Sequence, residues 1–370
     1  MERHETTMRR ALELAERGWG RVSPNPMVGC VVVAPDGATI GEGWYQGPRG
    51  NPHAEVVALR QAGDRARGAT LYSTLEPCDH HGSTPPCTEA VIAAGVGTVV
   101  VAASDPNPLV DGRGITRLRD SGIAVRSGVL EAEARRLNVA FERHVTTGRP
   151  FVILKTAASL DGKTAAVDGS SRWITSEASR ADAQRLRAWA DAILVGAGTA
   201  IADAPALTVR DPSLAGATTP LRVVVDTAGR VPATGAVFDD AAPTLVATTD
   251  LAPDEWVARW QAAGAEVVAL DRDVEGRVSL DGLVGALGKR DVQGLLVEGG
   301  ATLAWALVRD RLIDRIVAYV APLVIGGAAA PGIVGGRGFE SLAAAQPVGS
   351  IRTERVGPDL KVEADVHRDR

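Results

Sequence analysis

Cysteine is scarce: the 370 residues contain three, Cys30, Cys78 and Cys87. An odd, sparse set excludes a disulfide framework and fits a reducing, cytoplasmic setting. Positive charge is in deficit. The formal net charge is −5 and the sequence pI about 5.8, which argues against a surface built to coat nucleic acid. No apolar run reaches membrane-spanning length. The N-terminal stretch MERHETTMRRALELAERGWG is charged throughout and lacks the apolar core of a signal peptide. There is no repeat of solenoid period and no low-complexity tract. These absences leave a small molecule as the expected partner, with neither nucleic acid nor membrane.

Hydrophobic residues make up 45% of the chain, enough at this length for two cores. Met8, Leu12, Ala15 and Trp19 form one stripe of an N-terminal amphipathic helix. Beyond it, strand and helix signals alternate. GCVVVAPDGATIGEGWY reads as a hairpin turned at Asp36-Gly37, HAEVVALRQA as a helix with Pro52 in its first turn, and ATLYSTLEPC as a strand stopped by proline. A helix is predicted over 131–144. TTGRP then marks a boundary between residues 1–146 and 150–370. The second part restarts with the strand FVILK, ended by Lys155. Further strands are predicted at 192–196, 221–226, 244–249, 266–270, 294–298, 315–325 and 361–366, with helices at 179–190 and 301–309. Both parts are therefore α/β.

Two groups of residues carry chemistry. In PHAEV, His53 and Glu55 stand at a helix start. Cys78 follows a strand and Pro77, and Cys87 opens the next helix, where the dipole favours a thiolate. Eight residues separate the two cysteines, too many for a CxxC corner. One His and two Cys nevertheless suffice to hold Zn²⁺ and leave a position for water, whose pKa the metal lowers toward ~7. A glutamate that is not a ligand then shuttles protons. His53, Cys78, Cys87 and Glu55 are that set. Cys30, inside VGCVVV, reads as a buried apolar residue, and His4, His144 and His367 as surface residues. His80 and His81 are rival ligands. In the second part there is no GxGxxG. GLLVEGGATLAWAL is the nearest approach to a phosphate cradle: strand, Gly299-Gly300, then Ala301 and Thr302 opening a helix, with Glu298 at the strand's end. VGAGT (195–199) is a second glycine-bearing strand end.

The motifs SPNPMVGCVVV, HAEV, TLEPC, TPPC and DPNPLVDGRG, followed by LKTAASLDGKTA, SRWITSEASR, VGAGTAIADAPALTVR and VEGGATLAWAL, span nearly the whole chain. In this order they resemble the bacterial bifunctional riboflavin-biosynthesis deaminase–reductases. The resemblance implies a cytidine-deaminase-like three-layer domain followed by a dihydrofolate-reductase-like domain. The first would remove an amino group hydrolytically from a diamino-pyrimidinone carrying ribose 5-phosphate. The second would reduce the ribosyl group to ribityl with NADPH. It implies zinc on His53, Cys78 and Cys87, Glu55 as proton shuttle, and Asn25 and Asn107 beside the pyrimidine. Ala157, Trp173, Thr199 and Asp203, together with Gly299–Thr302, match positions that contact NADPH. Lys155, Ser171, Arg187, Leu207, Arg210 and Glu298 match positions around the sugar phosphate. Two departures stand out: Ser83 where the family commonly has a basic residue for the phosphate, with His81, His80 and Arg49 as alternative cations, and Ala204 where it has an acidic or amide residue. A homo-oligomer is expected. A deaminase directed at nucleic acid would instead need a basic stripe and a CxxC corner. A purely structural zinc site would favour four protein ligands and no Glu55.

Overall fold

Side chains of strand β1 (Gly29–Val33) alternate between two cores: Cys30 and Val32 enter one, Val31 and Val33 the other. That division organises the first of two compact units, Met1–Gly148 and Arg149–Arg370. The computed structural model describes residues 2–47, 50–82, 84–108 and 110–366. Arg49, Ser83 and His367 lie outside the described residues.

In the first unit β1 pairs antiparallel with β2 (Thr39–Trp44) and β3 (Thr70–Leu75), and β3, β4 (Thr98–Ala103) and β5 (Ala124–Ser127) run parallel. The order is β2-β1-β3-β4-β5. On one face pack α2 (Ala54–Ala62), α3 (Cys87–Ala93) and α4 (Arg113–Asp120). On the other lie α1 (Glu2–Glu16) and α5 (Glu131–Leu137). Burying both sheet faces under helices makes three layers. Met8, Leu12 and Ala15 of the amphipathic stripe are buried, whereas Trp19 lies beyond the helix. The helix predicted over 131–144 is two helices, α5 and α6 (Val139–Thr147), parted at Asn138. The Asn138 amide explains the break: Nδ2 donates to the Met27 carbonyl at 2.9 Å and Oδ1 accepts the Met27 N–H at 2.8 Å. His4 and His144 are half-buried rather than on the surface, and His4 Nδ1 lies 2.9 Å from the Tyr72 hydroxyl.

The second unit is a nine-stranded sheet. Its strands are β6 (Phe151–Ser159), β7 (Ala192–Gly196), β8 (Leu221–Val225), β9 (Thr244–Thr248), β10 (Glu266–Ala269), β11 (Gly294–Val297), β12 (Arg315–Ala321), β13 (Ile351–Val356) and β14 (Asp359–Asp365). In the order β10-β9-β8-β7-β11-β6-β12-β14-β13 the first seven are parallel and the last two join antiparallel. Val152 and Leu154 pack with α10 (Leu280–Gly288) and α11 (Ala301–Arg309), while Ile153 packs with α7 (Glu177–Trp189) and α8 (Ala197–Asp203). α9 (Asp254–Ala262) flanks β9 and β10. Three predictions change. Lys155 does not end its strand, because β6 runs on to Ser159 in register with β12. β12 stops at Ala321, short of residue 325. β13 was not predicted, because IRTERV is a mostly exposed edge strand with no apolar run to signal it. Among the described residues no helix is long and apolar enough to cross a membrane.

Candidate functional site

α2 begins at Ala54, so His53 is its N-cap residue and Pro52 precedes the helix rather than opening it. From that position the His53 ring meets both thiols: Nδ1 lies 3.1 Å from Cys87 Sγ and 3.6 Å from Cys78 Sγ. The three ligand atoms lie within 4.8 Å of one another. Tyr45 meets the His53 ring edge-on at 5.6 Å, and the Thr84 hydroxyl lies 3.3 Å from its Nε2. Cys78 follows β3, and Cys87 is the first residue of α3, whose N–H donates to Cys78 Sγ at 3.4 Å. Hydrogen bonds from Cys87 and His53 hold the Cys78 thiol down at about 4 against the opposing effect of burial. Hydrogen bonding to Cys78 and burial push the Cys87 thiol up. One imidazole nitrogen and two sulfurs this close together are donors that a divalent cation binds as the thiols release their protons. This chemistry fits zinc. Cys30 is fully buried in β1.

Glu55, in the first turn of α2, is 3% exposed. The Ser73 hydroxyl donates to its Oε1 at 3.1 Å, and its Oε2 lies 3.5 Å from Cys87 Sγ. Burial pushes its carboxyl above the usual range. A cavity of about 380 Å³ opens beside it and brings together Asn25, His53, Glu55, Cys78 and Asn107. Asn25 Nδ2 donates to the Tyr45 hydroxyl at 3.1 Å. His80 lines the same cavity, whereas exposed His81 sits 3.9 Å from Glu89.

Two acidic residues here were not singled out from the sequence. Glu76, 3% exposed, accepts the backbone N–H groups of Asp105, Gly112 and Ile115 at 3.2, 3.1 and 3.1 Å. It thereby caps α4 from a distant segment and ties the loop bearing Asn107 to the strand leading to Cys78. Asp105 lines the cavity, and burial raises its carboxyl to about 6. The sequence sign of Glu76 is a lone carboxylate closing an apolar strand just before Pro77. Gly114 belongs to this junction, since a Cβ there would stand 1.9 Å from the Pro77 carbonyl oxygen. Gly114→Ala is expected to lower the melting temperature and bound zinc together, because the segment carrying Cys78 must move. Unchanged zinc by metal analysis would show that the junction yields elsewhere.

In the second unit Glu298, Gly299, Gly300 and Thr199 lie just beyond the C-terminal ends of parallel strands, as open α/β sheets favour, whereas Lys155 and Ala157 lie within β6. Arg187 of α7 makes a bidentate pair with Glu298, which follows β11: Nε to Oε1 and Nη2 to Oε2 are both 2.8 Å. Its Nη1 also donates to the Thr208 carbonyl at 3.1 Å. Burial opposes ionisation of Glu298, but the charges of Arg187 and Lys155 prevail and hold it down at about 2. Lys155 Nζ lies 6.0 Å from the Tyr319 ring centroid. Arg210 is exposed, its N–H donating to Gln184. Leu207 is 1% exposed with its side chain in the core, so only its backbone, at φ +49°, is left to meet a ligand.

A second cavity, of about 660 Å³, includes Ser171, Thr199, Asp203, Gly300, Ala301 and Thr302. Gly299 sits behind it, where a Cβ would meet Leu303 at 2.5 Å. A side chain at Gly299 would have to displace the end of the Leu303 side chain, and a pyrophosphate fits such a strand–glycine–helix turn. Among the described residues, Ala157 and Trp173 do not line this cavity. Ala157 is paired within β6, and Trp173 is 67% exposed beneath the Arg180 guanidinium at 4.4 Å. Ala204 takes φ +40° at the end of α8.

The Glu298 shift has a sign. A carboxyl held below its ordinary value of 4.5 stabilises the fold above that pH, and the contribution is lost as pH falls through about 2. Urea midpoints are expected to drop across that acid window. An Arg187→Met/Glu298→Leu double variant should lose this component of the slope; an unchanged slope would exclude the pair as its source.

Residues 1–103 match the family described as the cytidine and deoxycytidylate deaminase zinc-binding region, and residues 150–362 the RibD C-terminal domain. The riboflavin biosynthesis protein RibD of Bacillus amyloliquefaciens is 43% identical over 376 residues, covering 99% of this chain and all of that one. The Escherichia coli K12 protein of the same name is 44% identical over 368 residues, covering 96% and 97%. Among solved structures, RibD of Acinetobacter baumannii superposes with a TM-score of 0.87 at 38% identity over 99% of both chains. A Thermotoga maritima structure reaches 0.85 at 36% identity, also over 99% of both. It is described as a diaminohydroxyphosphoribosylaminopyrimidine deaminase/5-amino-6-(5-phosphoribosylamino)uracil reductase.

Proposed function

Because the chain belongs to the RibD family of bifunctional deaminase–reductases in riboflavin biosynthesis, we propose that two separate sets of side chains carry its two reactions. It is a zinc-dependent deaminase in its first unit and an NADPH-dependent reductase in its second. His53, Cys78 and Cys87 would hold the zinc, whose contribution is Lewis-acid activation of water. Glu55 accepts one proton of the attacking water on its carboxylate and gives it to the pyrimidine ring nitrogen, then takes the second from the hydroxyl added to carbon and gives it to the amine, which departs as the C–N bond breaks and the carbonyl forms. Asn25 and Asn107 read the pyrimidine edge with one donor and one acceptor each. Ammonia leaves, and the phosphorylated uracil goes on to reduction. The observation that carries this half is Glu55 itself: a buried carboxylate beside the His-Cys-Cys cluster, facing the same cavity without being needed as a ligand.

In the second unit the glycine turn of Gly299–Gly300, with Ala301, Thr302, Thr199 and Asp203, receives NADPH, which supplies the hydride. Trp173 and Ala157 are proposed to meet it at the open end. Lys155, Arg187, Arg210, Ser171 and the Leu207 backbone orient the ribose phosphate, and Glu298 fixes Arg187 in place. The sequence features support a cytoplasmic, small-molecule enzyme without nucleic-acid or membrane partners, and we extend the proposal to a homo-oligomer. The test is one reaction mixture containing the diamino-pyrimidinone phosphate, in which ammonia and NADPH are followed together. Ammonia release should precede NADPH loss. Failure of either signal rejects the corresponding half.

A further inference from the structure

The two cations lining the larger cavity have no role in the reading so far. Among its described lining residues, Arg230 and Arg277 are the only positively charged ones. We propose that they seat the 2′-phosphate of the NADPH adenosine ribose and so set the preference for NADPH over NADH. The inference rests on NADPH occupying this cavity.

The cavity's layout carries the argument. Thr164 and Ser171, in the segment after β6, line one part of it. The glycine-bearing ends of β11 and β7 supply Gly300 and Gly198. Val225, at the end of β8, and Thr227 just beyond it line another part, together with Arg230 and Arg277. From β6 to β8 the sheet order is β6-β11-β7-β8, three strand spacings, or about 14 Å. That is a span for an extended dinucleotide, with its pyrophosphate at the glycine turns and one nucleoside toward each side. If the nicotinamide lies toward the sugar-phosphate residues Lys155, Arg187 and Ser171, the adenosine lies toward the arginines. A phosphate monoester there carries nearly two negative charges, whereas the ribose of NADH offers only a hydroxyl.

The neighbouring acids compete with a phosphate for this charge. Asp273 also lines the cavity, but its Oδ2 accepts from Arg309 Nη2 at 2.8 Å and its Oδ1 accepts the Arg277 N–H at 2.9 Å. Glu275 faces the Arg277 guanidinium, yet it also has Arg309 Nη1 at 3.0 Å. Arg309 also holds Asp310, through Nε at 2.6 Å and Nη2 at 2.8 Å, so a phosphate would have to draw Arg277 from Glu275, offering nearly two negative charges in place of one. The Arg230 side chain is 65% exposed, and its Nε is 3.8 Å from Asp226. Oδ2 of that buried carboxylate accepts the N–H groups of Arg230 and Val231, both at 2.6 Å, while its Oδ1 makes no hydrogen bond among the described residues and faces the Arg230 guanidinium, which is held there by charge alone. Guanidinium forks suit a phosphate better than point charges do.

The test compares cofactors. With saturating deaminated substrate, Arg230→Ala and Arg277→Ala should each raise the KM for NADPH roughly tenfold, and the double variant roughly a hundredfold. The KM for NADH should move less than twofold in all three. In wild type without substrate, calorimetry should show 2′,5′-ADP binding far more tightly than 5′-AMP, and in the double variant that advantage should vanish. Melting temperatures within a few degrees of wild type would confirm that the variants fold; should Arg277→Ala not fold, Arg230→Ala and the nucleotide pair still decide. Equal increases for both cofactors, or no increase for either, would overturn the inference while leaving the reductase reading intact. Wild type that oxidises no NADPH with substrate would instead overturn the reading of the cavity, and this inference with it.

Discussion

Glu55→Gln is expected to lower ammonia release by about 10²–10⁴-fold while leaving bound zinc unchanged. The replacement keeps size and one acceptor oxygen, so the Ser73 hydroxyl, 3.1 Å from Oε1, keeps its partner. The ligands His53, Cys78 and Cys87 are untouched, and zinc by metal analysis should match wild type. What disappears is the carboxylate 3.5 Å from Cys87 Sγ that is placed to take a proton from water and return it to nitrogen. Stability should change little, because a carboxyl that burial already pushes toward its neutral form is replaced by a neutral amide. NADPH oxidation with the deaminated intermediate should run at the wild-type rate, since Glu55 lies in the first unit and the glycine turn in the second. Retained ammonia release within tenfold of wild type would remove Glu55 from the proton path. A parallel loss of zinc would instead make it part of the metal site.

Such a test was already visible in the sequence because first-unit chemistry is written locally. HAE at a helix start and PC at a strand end put their side chains where short-range geometry dictates. The eight residues between Cys78 and Cys87 do not spoil the site, since each cysteine is positioned by its own flanking element. Features set by distant contacts were harder to read. Asn138 divides a helix because its amide pairs with Met27, 111 residues away, and no periodicity announces that. Glu76 was not singled out, because its three amide partners come from residues 105–115, far from it in sequence. Leu207 was placed at the substrate by resemblance, but its apolar side chain follows ordinary burial and leaves only backbone for that role. β13 lacked a signal because an edge strand need bury neither face. The parallel sheet was legible for the opposite reason: runs such as AILV and GLLV are apolar on both faces and have few other uses.

Arg187→Met is expected to cost about 3–5 kcal/mol of stability in the second unit and to abolish NADPH oxidation. Both effects arise at one ion pair, and they can be separated. The Arg187 and Glu298 side chains are only 11% and 12% exposed, so removing the cation strands a carboxylate out of water. Lys155 and Arg210 act on Glu298 only through longer-range charge and cannot replace two direct hydrogen bonds. Glu298 should therefore take up a proton well above the about 2 it shows beside Arg187. Adding Glu298→Leu removes the stranded charge, and the urea midpoint should recover most of the loss, as apolar replacements of buried pairs commonly do. Reductase activity should not return, because the proposal gives the guanidinium to the ribose phosphate as well as to Glu298. Ammonia release should persist in both variants at temperatures where the chain is folded. If the double variant regained NADPH oxidation along with stability, the pair would be a packing device alone and the substrate's phosphate would have to be held by other cations, with Lys155 and Arg210 the next to test.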